Sequence, residues 1–461
     1  MLVSERSFVI PLIDGHRNLL QHLSGMILTE LRAEEIPVRF VITNIDHQGY
    51  HCELGIISCK NKQGYHCELD ILRTMRKLIS PPKNPIFDYN LRSYENTTQF
   101  NAVLLIPTGI GSEIGGHSGD GGAVARLLAA ACDNLITHPN VVNASDLNEL
   151  PENGLYVEGS VITRLLMGTV SIQKVRANRV MLVIDEHEDE DSFFHEAAIN
   201  AASAARVALG LDCPLVVKMD QRQILMHSFY ASSGRAVGQI KYLEYLCAIL
   251  EQYQSQYDAV ALCTYIELPP DSVENYFQDD IDVNPWGGVE ALLTHAISML
   301  YDIPSAHSPM MSSDEFETDV GVVDPRKSAE SISMTNLHCI LKGLHRSPRI
   351  INSLMCGHAG ILTVADISCL VIPYGCVGLP TLAALEQGIP VIAVKDNKNL
   401  MQNKLEELPF APGKLLIAEN YLEAVGLMHA LKAGVSPASV RRPLAYTNVQ
   451  TQDAVKVDPS A

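Results

Sequence analysis

The chain is short of positive charge. Its 34 lysines and arginines are outnumbered by 53 aspartates and glutamates, giving a formal net charge of -19. A field of that sign repels phosphate backbones, which argues against nucleic acid as a partner. The 11 cysteines form no CxxC pair and no Cys/His zinc spacing. They read as reduced thiols, mostly small buried hydrophobes, of a cytoplasmic protein (or a plastid stromal one in a eukaryote). The opening MLVSERSFVIPLIDGHR lacks a basic region followed by an unbroken apolar core, so no secretory signal is expected. Ile367–Leu385 is uncharged and long enough to span a membrane. Pro373, Gly375, Gly378 and Pro380 divide it into strand, turn and helix, so no membrane partner is expected. There is a single tryptophan, Trp286, which reads as core or as a wall against which a ligand stacks.

What the chain has is glycine in one place. Asn101–Ala131 reads as strand, glycine-rich loop, helix. Ala102–Ile106 is a β-branched apolar run stopped by Pro107. Gly109, Gly111, Gly115, Gly116, Gly119, Gly121 and Gly122 follow, and from Ala123 an Ala-rich helical pattern begins. A loop at the carboxyl end of a parallel strand, feeding a helix, is where open α/β sheets bind ligands. Bare N–H groups and the helix dipole suit an anion there. A structural turn needs one or two glycines, and ordering seven is entropically expensive. The expectation is that Gly109–Gly122 lines the main ligand site, with Ser112 and Ser118 among its contacts and His117 and Asp120 pointing in as catalytic groups. The competing reading is tight packing of the loop.

With 461 residues, 47 % of them hydrophobic, there is room for two or three domains. Strand candidates at Ser7–Leu12 and Pro37–Thr43 flank a helix at Arg17–Glu34. QGYHCEL occurs twice, at Gln48–Leu54 and Gln63–Leu69, and reads either as a duplicated hairpin segment or as a metal-binding repeat. Leu78–Thr98 is polar and reads as linker. Ala102–Ile106, Val180–Ile184, Leu215–Val217 and Ala259–Cys263 then alternate with helices at Ala123–Cys132, Phe194–Leu209 and Gln239–Gln256. That rhythm predicts a doubly wound, mostly parallel Rossmann-like sheet. Asp302–Pro325 reads as a lid or mobile loop, and Lys327–Gly343 as a helix. Lys342, His345, Arg346 and Arg349 form a basic cluster, either a charged helix C-terminus or an anion clamp. Further on come strand Cys369–Ile372, helix Thr381–Gln387 capped by Gly388, strand Ile389–Val394, strand Leu415–Ala418 and helix Tyr421–Leu431. The division expected is a small α/β domain over 1–96, a central α/β domain over 97–345, a Rossmann-like segment over 346–440 and a flexible tail over 441–461.

LVIPYG echoes LLIPTG, so the second turn, with Gly375, Gly378 and Thr381, is expected to face the first across a cleft. His138, Asn140, Asn143 and Asp146 follow the first helix and suit substrate hydrogen bonds, acid–base work or a divalent metal. No H-x-x-x-H spacing supports a metal, and no cofactor is indicated. Glu158, His295 and His307 are further candidates, although a lone helical histidine is usually structural.

PTGIGSEIGGHSGD, LITHPNVVNASD, LYVEGSVITRLLMGTV, VNPWGGVEALLTHAIS and CLVIPYGCVGLPTLAALEQGIPVIAV together resemble an uncharacterised family of cyanobacteria and plastid-bearing lineages, which implies no activity. The second QGYHCEL departs from that family's pattern. Separately, the segment from Ala365 resembles the nucleotide-sugar half of MurG-type two-domain glycosyltransferases. Gly375, Leu382, Glu386, Gly388, Pro390 and Asn403 match its pattern. The resemblance implies nucleotide-sugar binding and transfer. The same segment is similar to the second cysteine motif of aspartate/glutamate/hydantoin racemases, which implies Cys376 as acid/base with a second thiol, for which Cys356 is the nearby substitute. The function expected is an enzyme acting on a phosphorylated or nucleotide-linked small molecule, glycosyltransferase-like. The alternatives are a cysteine-assisted racemase or isomerase and a non-catalytic ligand-binding regulator. The partners expected are a small anionic ligand and further copies of the chain.

Overall fold

Short apolar runs become strands buried along almost their whole length. NAVL, NLIT, VMLVI, ISCLVIP and VIAV are covered at every residue, as the interior of a parallel sheet requires. The computed structural model describes residues 1–13, 18–58, 86–144, 150–185, 192–219, 224–278, 283–310, 321–333, 335–352, 358 and 360–450. In chain order its strands are β1 (Leu2–Ile10), β2 (Glu35–Asp46), β3 (Gly49–Ser58), β4 (Asn101–Leu104), β5 (Asn134–Thr137), β6 (Gly154–Tyr156), β7 (Val170–Gln173), β8 (Val180–Ile184), β9 (Leu215–Lys218), β10 (Leu225–Tyr230), β11 (Ala236–Lys241), β12 (Ala259–Tyr265), β13 (Ser305–Met310), β14 (Arg349–Asn352), β15 (Ile361–Leu362), β16 (Ile367–Pro373), β17 (Val377–Gly378), β18 (Val391–Val394) and β19 (Leu415–Ala418).

The chain is α/β, and its described residues form two parallel sheets and a large antiparallel one. The longer parallel sheet runs β19-β18-β16-β4-β5-β6. Ala102 and Leu104 of β4 join one core, under helices Gly122–Ala129 and Tyr421–Lys432, while Val103 joins the other, under Gly159–Leu166 and Leu379–Gln387. The shorter parallel sheet is β13-β12-β8-β9. The antiparallel sheet is β10-β11-β1-β3-β2-β17, and β14-β7-β15 form a small antiparallel one.

The sheets do not follow the divisions drawn from the sequence. Strands from 97–345 and 346–440 lie side by side in the longer parallel sheet, where β4 pairs with β16. Likewise β1 pairs with β11, across the division at 96. Local periodicity carries no signal for such distant pairing. The helix expected over Gln239–Gln256 is instead β11, a left-handed Tyr242 (φ 63) and helix Leu243–Gln252. Lys327–Gly343 is not one helix but two, Ser328–Ser331 and Leu337–Arg346, the second starting after Asn336 at φ 49. Within Asp302–Pro325, Ser305–Met310 is a sheet strand rather than lid, and 311–320 fall outside the described residues. The first QGYHCEL copy runs from the β2–β3 turn into β3, and the second lies outside the described residues.

The glycine loop gives a paired test. Gly119 has φ +73, and a Cβ there would stand 2.3 Å from Ala144, whereas one at helical Gly122 would meet nothing within 4 Å. Gly119→Ala should cost about 1–3 kcal/mol in urea unfolding. Gly122→Ala should stabilise by roughly 0.5–1 kcal/mol. Equal effects from the two would refute this account of the loop.

Candidate functional site

The carboxyl ends of β4, β5, β6 and β16 open on a cavity of about 210 Å³, lined on its other sides by β2, β13 and helix Gly287–Tyr301. That helix presents Gly287, Glu290, Ala291, Thr294 and His295 to the cavity. The i, i+3, i+4, i+7, i+8 spacing is one helical face. Val289, Leu292, Leu293, Ala296 and Ile297 fill the core behind it.

Two imidazole–carboxylate pairs meet on this face. Glu158 ends the chain leaving β6 and caps helix Gly159–Leu166, its Oε2 accepting from the N–H of Ser160 (2.9 Å) and of Val161 (3.4 Å). Ser160 Oγ also donates to it. Its Oε1 lies 2.5 Å from Nδ1 of His295. Burial works to raise the Glu158 pKa, but the charge and hydrogen bond of His295 and the Ser160 bonds outweigh it and hold the carboxyl at about 2. Glu158 is therefore ionised although 4 % exposed. This ion-pair contact takes up the Nδ1 side of His295 and leaves Nε2 as its second nitrogen. In the second pair, Nδ1 of His307 is 2.8 Å from Glu290 Oε1, and its Nε2 is 2.8 Å from Thr264 Oγ1. Both His307 nitrogens are engaged, which suits a fixed wall rather than proton exchange.

His138 follows β5, and its Nε2 accepts the N–H of Ile106 at 3.2 Å. The proton must then sit on Nδ1. Burial pulls its pKa down to about 4, so His138 is a neutral donor. Asn140 and Asn143 also line the cavity. Asn140 Nδ2 donates to Gly115 O (2.9 Å), and Asn143 Oδ1 accepts from Tyr156 Oη (2.9 Å). Asp146 lies outside the described residues.

The glycine loop meets the cavity through Pro107, Thr108, Ile110 and Ser118. His117 and Asp120, expected to point in, lie outside the wall. His117 is fully buried with Nδ1 2.6 Å from Tyr276 Oη. Gly109, Gly111, Ser112, Gly115, Gly116 and Gly119 are also outside the wall. A Cβ on Gly109 would strike Ala236 O, on Gly115 Ile106, and on Gly116 the backbone of Ser112. These glycines stand where neighbouring chain passes too close for a side chain. From the second turn, Cys376, Gly378 and Thr381 line the cavity. Gly375 and Asn403 do not. Asn403 Nδ2 instead ties Gly375 O to Ile42 O, both at 2.8 Å. Cys376 packs with Ile110 and Met401, and burial pushes its thiol far above the ordinary range. Cys356 lies outside the described residues, while Cys339 lines the cavity. In the basic cluster, Arg349 pairs with Asp258 at 3.2 Å.

Sequence reading missed Arg39, Arg235, Cys339 and Glu330, all in the wall. Glu330 Oε1 accepts from Ser118 N–H (2.7 Å) and Asn284 Nδ2 (2.8 Å), joining helix Ser328–Ser331 to the glycine loop. Among the described residues no group of three or more His, Cys, Asp or Glu is placed to hold a metal ion. Nor is any helix among them long and apolar enough to cross a membrane.

The sequence pattern of DUF3326, described as a protein of unknown function, matches residues 101–441. The chain belongs to this family. An uncharacterised lipoprotein of Synechococcus sp. (strain ATCC 27144 / PCC 6301 / SAUG 1402/1) is 32% identical over 369 residues, 77% of this chain and 97% of the relative. No solved structure matches. The DUF3326 region contains Glu158, His295, His138 and both glycine turns, whereas Arg39 precedes it.

Asp120 sits beside Glu330 at the edge of the DUF3326 glycine loop. Burial raises it to about 7, against the N–H groups of Gly115 and His117 and with the Glu330 charge adding to the rise. Burial likewise raises Glu330. A carboxyl whose folded pKa lies above its unfolded value binds more protons when folded. Its stabilisation is then full below the ordinary carboxyl pKa and lost as pH rises through about 7. The melting temperature should therefore fall between about pH 4 and 8. Asp120→Asn should flatten that slope and melt higher than wild type at the alkaline end. An unchanged slope would show that Asp120 does not titrate in this window.

Proposed function

We propose that the cavity is the active site of an enzyme that moves a proton on a small anionic molecule. The observation that carries this is the ionised Glu158 paired with His295 at the cavity wall. The carboxylate fixes the imidazole and stabilises the imidazolium formed when Nε2 takes a proton from the bound molecule. The neutral His138, with its remaining N–H, is suited to polarise an oxygen of that molecule. The proton held on His295 is then returned to a different atom of the substrate or to a leaving group. In this reading the base is His295 and not a group of the glycine loop.

A Rossmann-like reading of the longer parallel sheet supports a ligand at its carboxyl edge. The volume, about 210 Å³, lies below the roughly 300–1,000 Å³ of sites for drug-sized ligands. That favours one compact small molecule over the nucleotide-linked donor that the glycosyltransferase resemblance implies. A second reading, the cysteine-assisted isomerase, draws on Cys376 and Cys339 lining the same cavity.

The test uses deuterium. The protein in D2O, mixed with pools of small carboxylated and phosphorylated metabolites, should wash deuterium into one compound, read by mass spectrometry. His295→Gln should slow the exchange by about 10²–10⁴-fold, and Glu158→Gln should also slow it. Thiol alkylation should leave it intact. Exchange that survives in His295→Gln but stops on alkylation would transfer the chemistry to the cysteines. A compound that raises the melting temperature without exchange or turnover would make the protein a binding regulator.

A further inference from the structure

Two guanidinium groups line the cavity, one from β2 and one from the residue before β11. Arg39 projects from β2, and its Nη1 donates to Glu5 Oε1 and Gly288 O, both at 3.4 Å. Burial, with the charge of Arg235 next in effect, lowers Arg39 to about 10, so it remains a cation at neutral pH. Arg235 directly precedes β11 and is 1 % exposed, among the largest fully buried side chains of the protein. Its Nη1 pairs with Glu53, whose other oxygen accepts from Ser233 Oγ at 2.6 Å. The next carboxylate oxygen, Glu5 Oε2, is 3.7 Å away. Nε and Nη2 of Arg235 have no hydrogen-bond partner among the described residues.

A buried donor without an acceptor costs free energy, and more when it is charged. Here the two unmet donors form one edge of the guanidinium. Two parallel N–H groups at that spacing match two oxygens on one atom. Both arginines belong to the wall of the cavity that holds His295. We propose that this part of the cavity is an oxyanion site, in which Arg235, supported by Arg39, receives the carboxylate of the substrate. The inference rests on the reading of the cavity as an active site and names the substrate's class. Charge decides between the two common oxyanions. Glu5 and Glu53 already balance Arg39 and Arg235, so a monoanion adds one uncompensated charge to a buried site and a phosphate dianion adds two. A carboxylate also gives the acid–base pair a task, since pairing with the arginines offsets the charge that otherwise makes a proton on the adjacent carbon hard to remove.

The probes are acetate, inorganic phosphate and acetamide, the last a neutral analogue of the first. Arginine Nε–H resonances of the wild-type protein, assigned through bonds from the Arg235 backbone, report the site directly. The imidazole C–H resonances of His138 and His295 report the rest of the cavity. Acetate should shift the Arg235 Nε–H saturably and bind at least tenfold more tightly than phosphate, and acetamide should leave it in place. Arg235→Lys keeps the charge but not the paired donors, and should weaken acetate about tenfold or more. Should that variant fail to fold, the wild-type titration decides alone. An Arg235 resonance indifferent to acetate, tighter binding of phosphate, or equal affinity in a folded Arg235→Lys would each overturn the proposal. Acetamide or acetate moving the histidine signals but not Arg235 would overturn it while leaving the cavity a ligand site. Silence at all three residues would remove both readings.

Discussion

The contact between the Glu158 carboxylate and the His295 imidazole is the joint on which the site depends. Glu158 belongs to the carboxyl edge of the longer parallel sheet, and His295 to helix Gly287–Tyr301. That helix also packs on β11, where a Cβ on Gly288 would stand 2.0 Å from Ala236 O. Through His307 it is tied to β13 of the second parallel sheet. One helix thus locates three sheets around a single space. Removing either partner of a buried pair strands a charge and typically costs ~3–5 kcal/mol. The contact on which the proposed proton transfer relies therefore also holds the cavity's walls together. Function and architecture are hard to separate at this point in the chain.

Much of the fold could be read from local pattern. Runs such as Val180–Ile184 and Leu415–Ala418 are strands with the expected bounds. Gly388, expected as a helix cap, is left-handed at φ 63. Local pattern failed where chain neighbours compete for one element. Ala236–Lys241 is apolar enough to extend the helix that follows, but its backbone is taken by β1 and β10. The pairing of β4 with β16 joins residues more than 260 positions apart in sequence, and no periodicity encodes that.

The site was legible in part, for a related reason. Glu158, His295 and His307 were marked by residue type but could not be joined, because each partner lies on a different element. A usable signal was present: Glu290, Thr294 and His295 form a polar stripe on an otherwise apolar helix, and such a stripe inside a core needs partners. Arg39 and Arg235 gave no comparable signal, being single charges in or beside strands. Glycine misled. Gly115, Gly116 and Gly119 are required by Ile106, Ser112 and Ala144 pressing on the loop. Close approach between chain segments produces the same glycine pattern as close approach to a ligand.

The buried charges obey one rule throughout, and it explains which carboxyl groups are ionised. Glu53 has Arg235, Glu5 has Arg39 and Arg235, Glu158 has His295, and Glu290 has His307. Each is a carboxylate brought out of water together with a cation or a donor. Burial instead raises both Asp120 and Glu330, and the Glu330 charge adds to the rise at Asp120 more than Arg326 opposes it. A buried carboxyl that gains too little from nearby cations favours its protonated form. A chain with a net charge of -19 spends its few cations sparingly. It places three arginines and three histidines at the cavity, and leaves Asp120 and Glu330 to be neutralised by protons. The polarity inside the cavity is thus built from matched pairs already in place, which is the arrangement that lets an added charge on a bound molecule be felt strongly at His295.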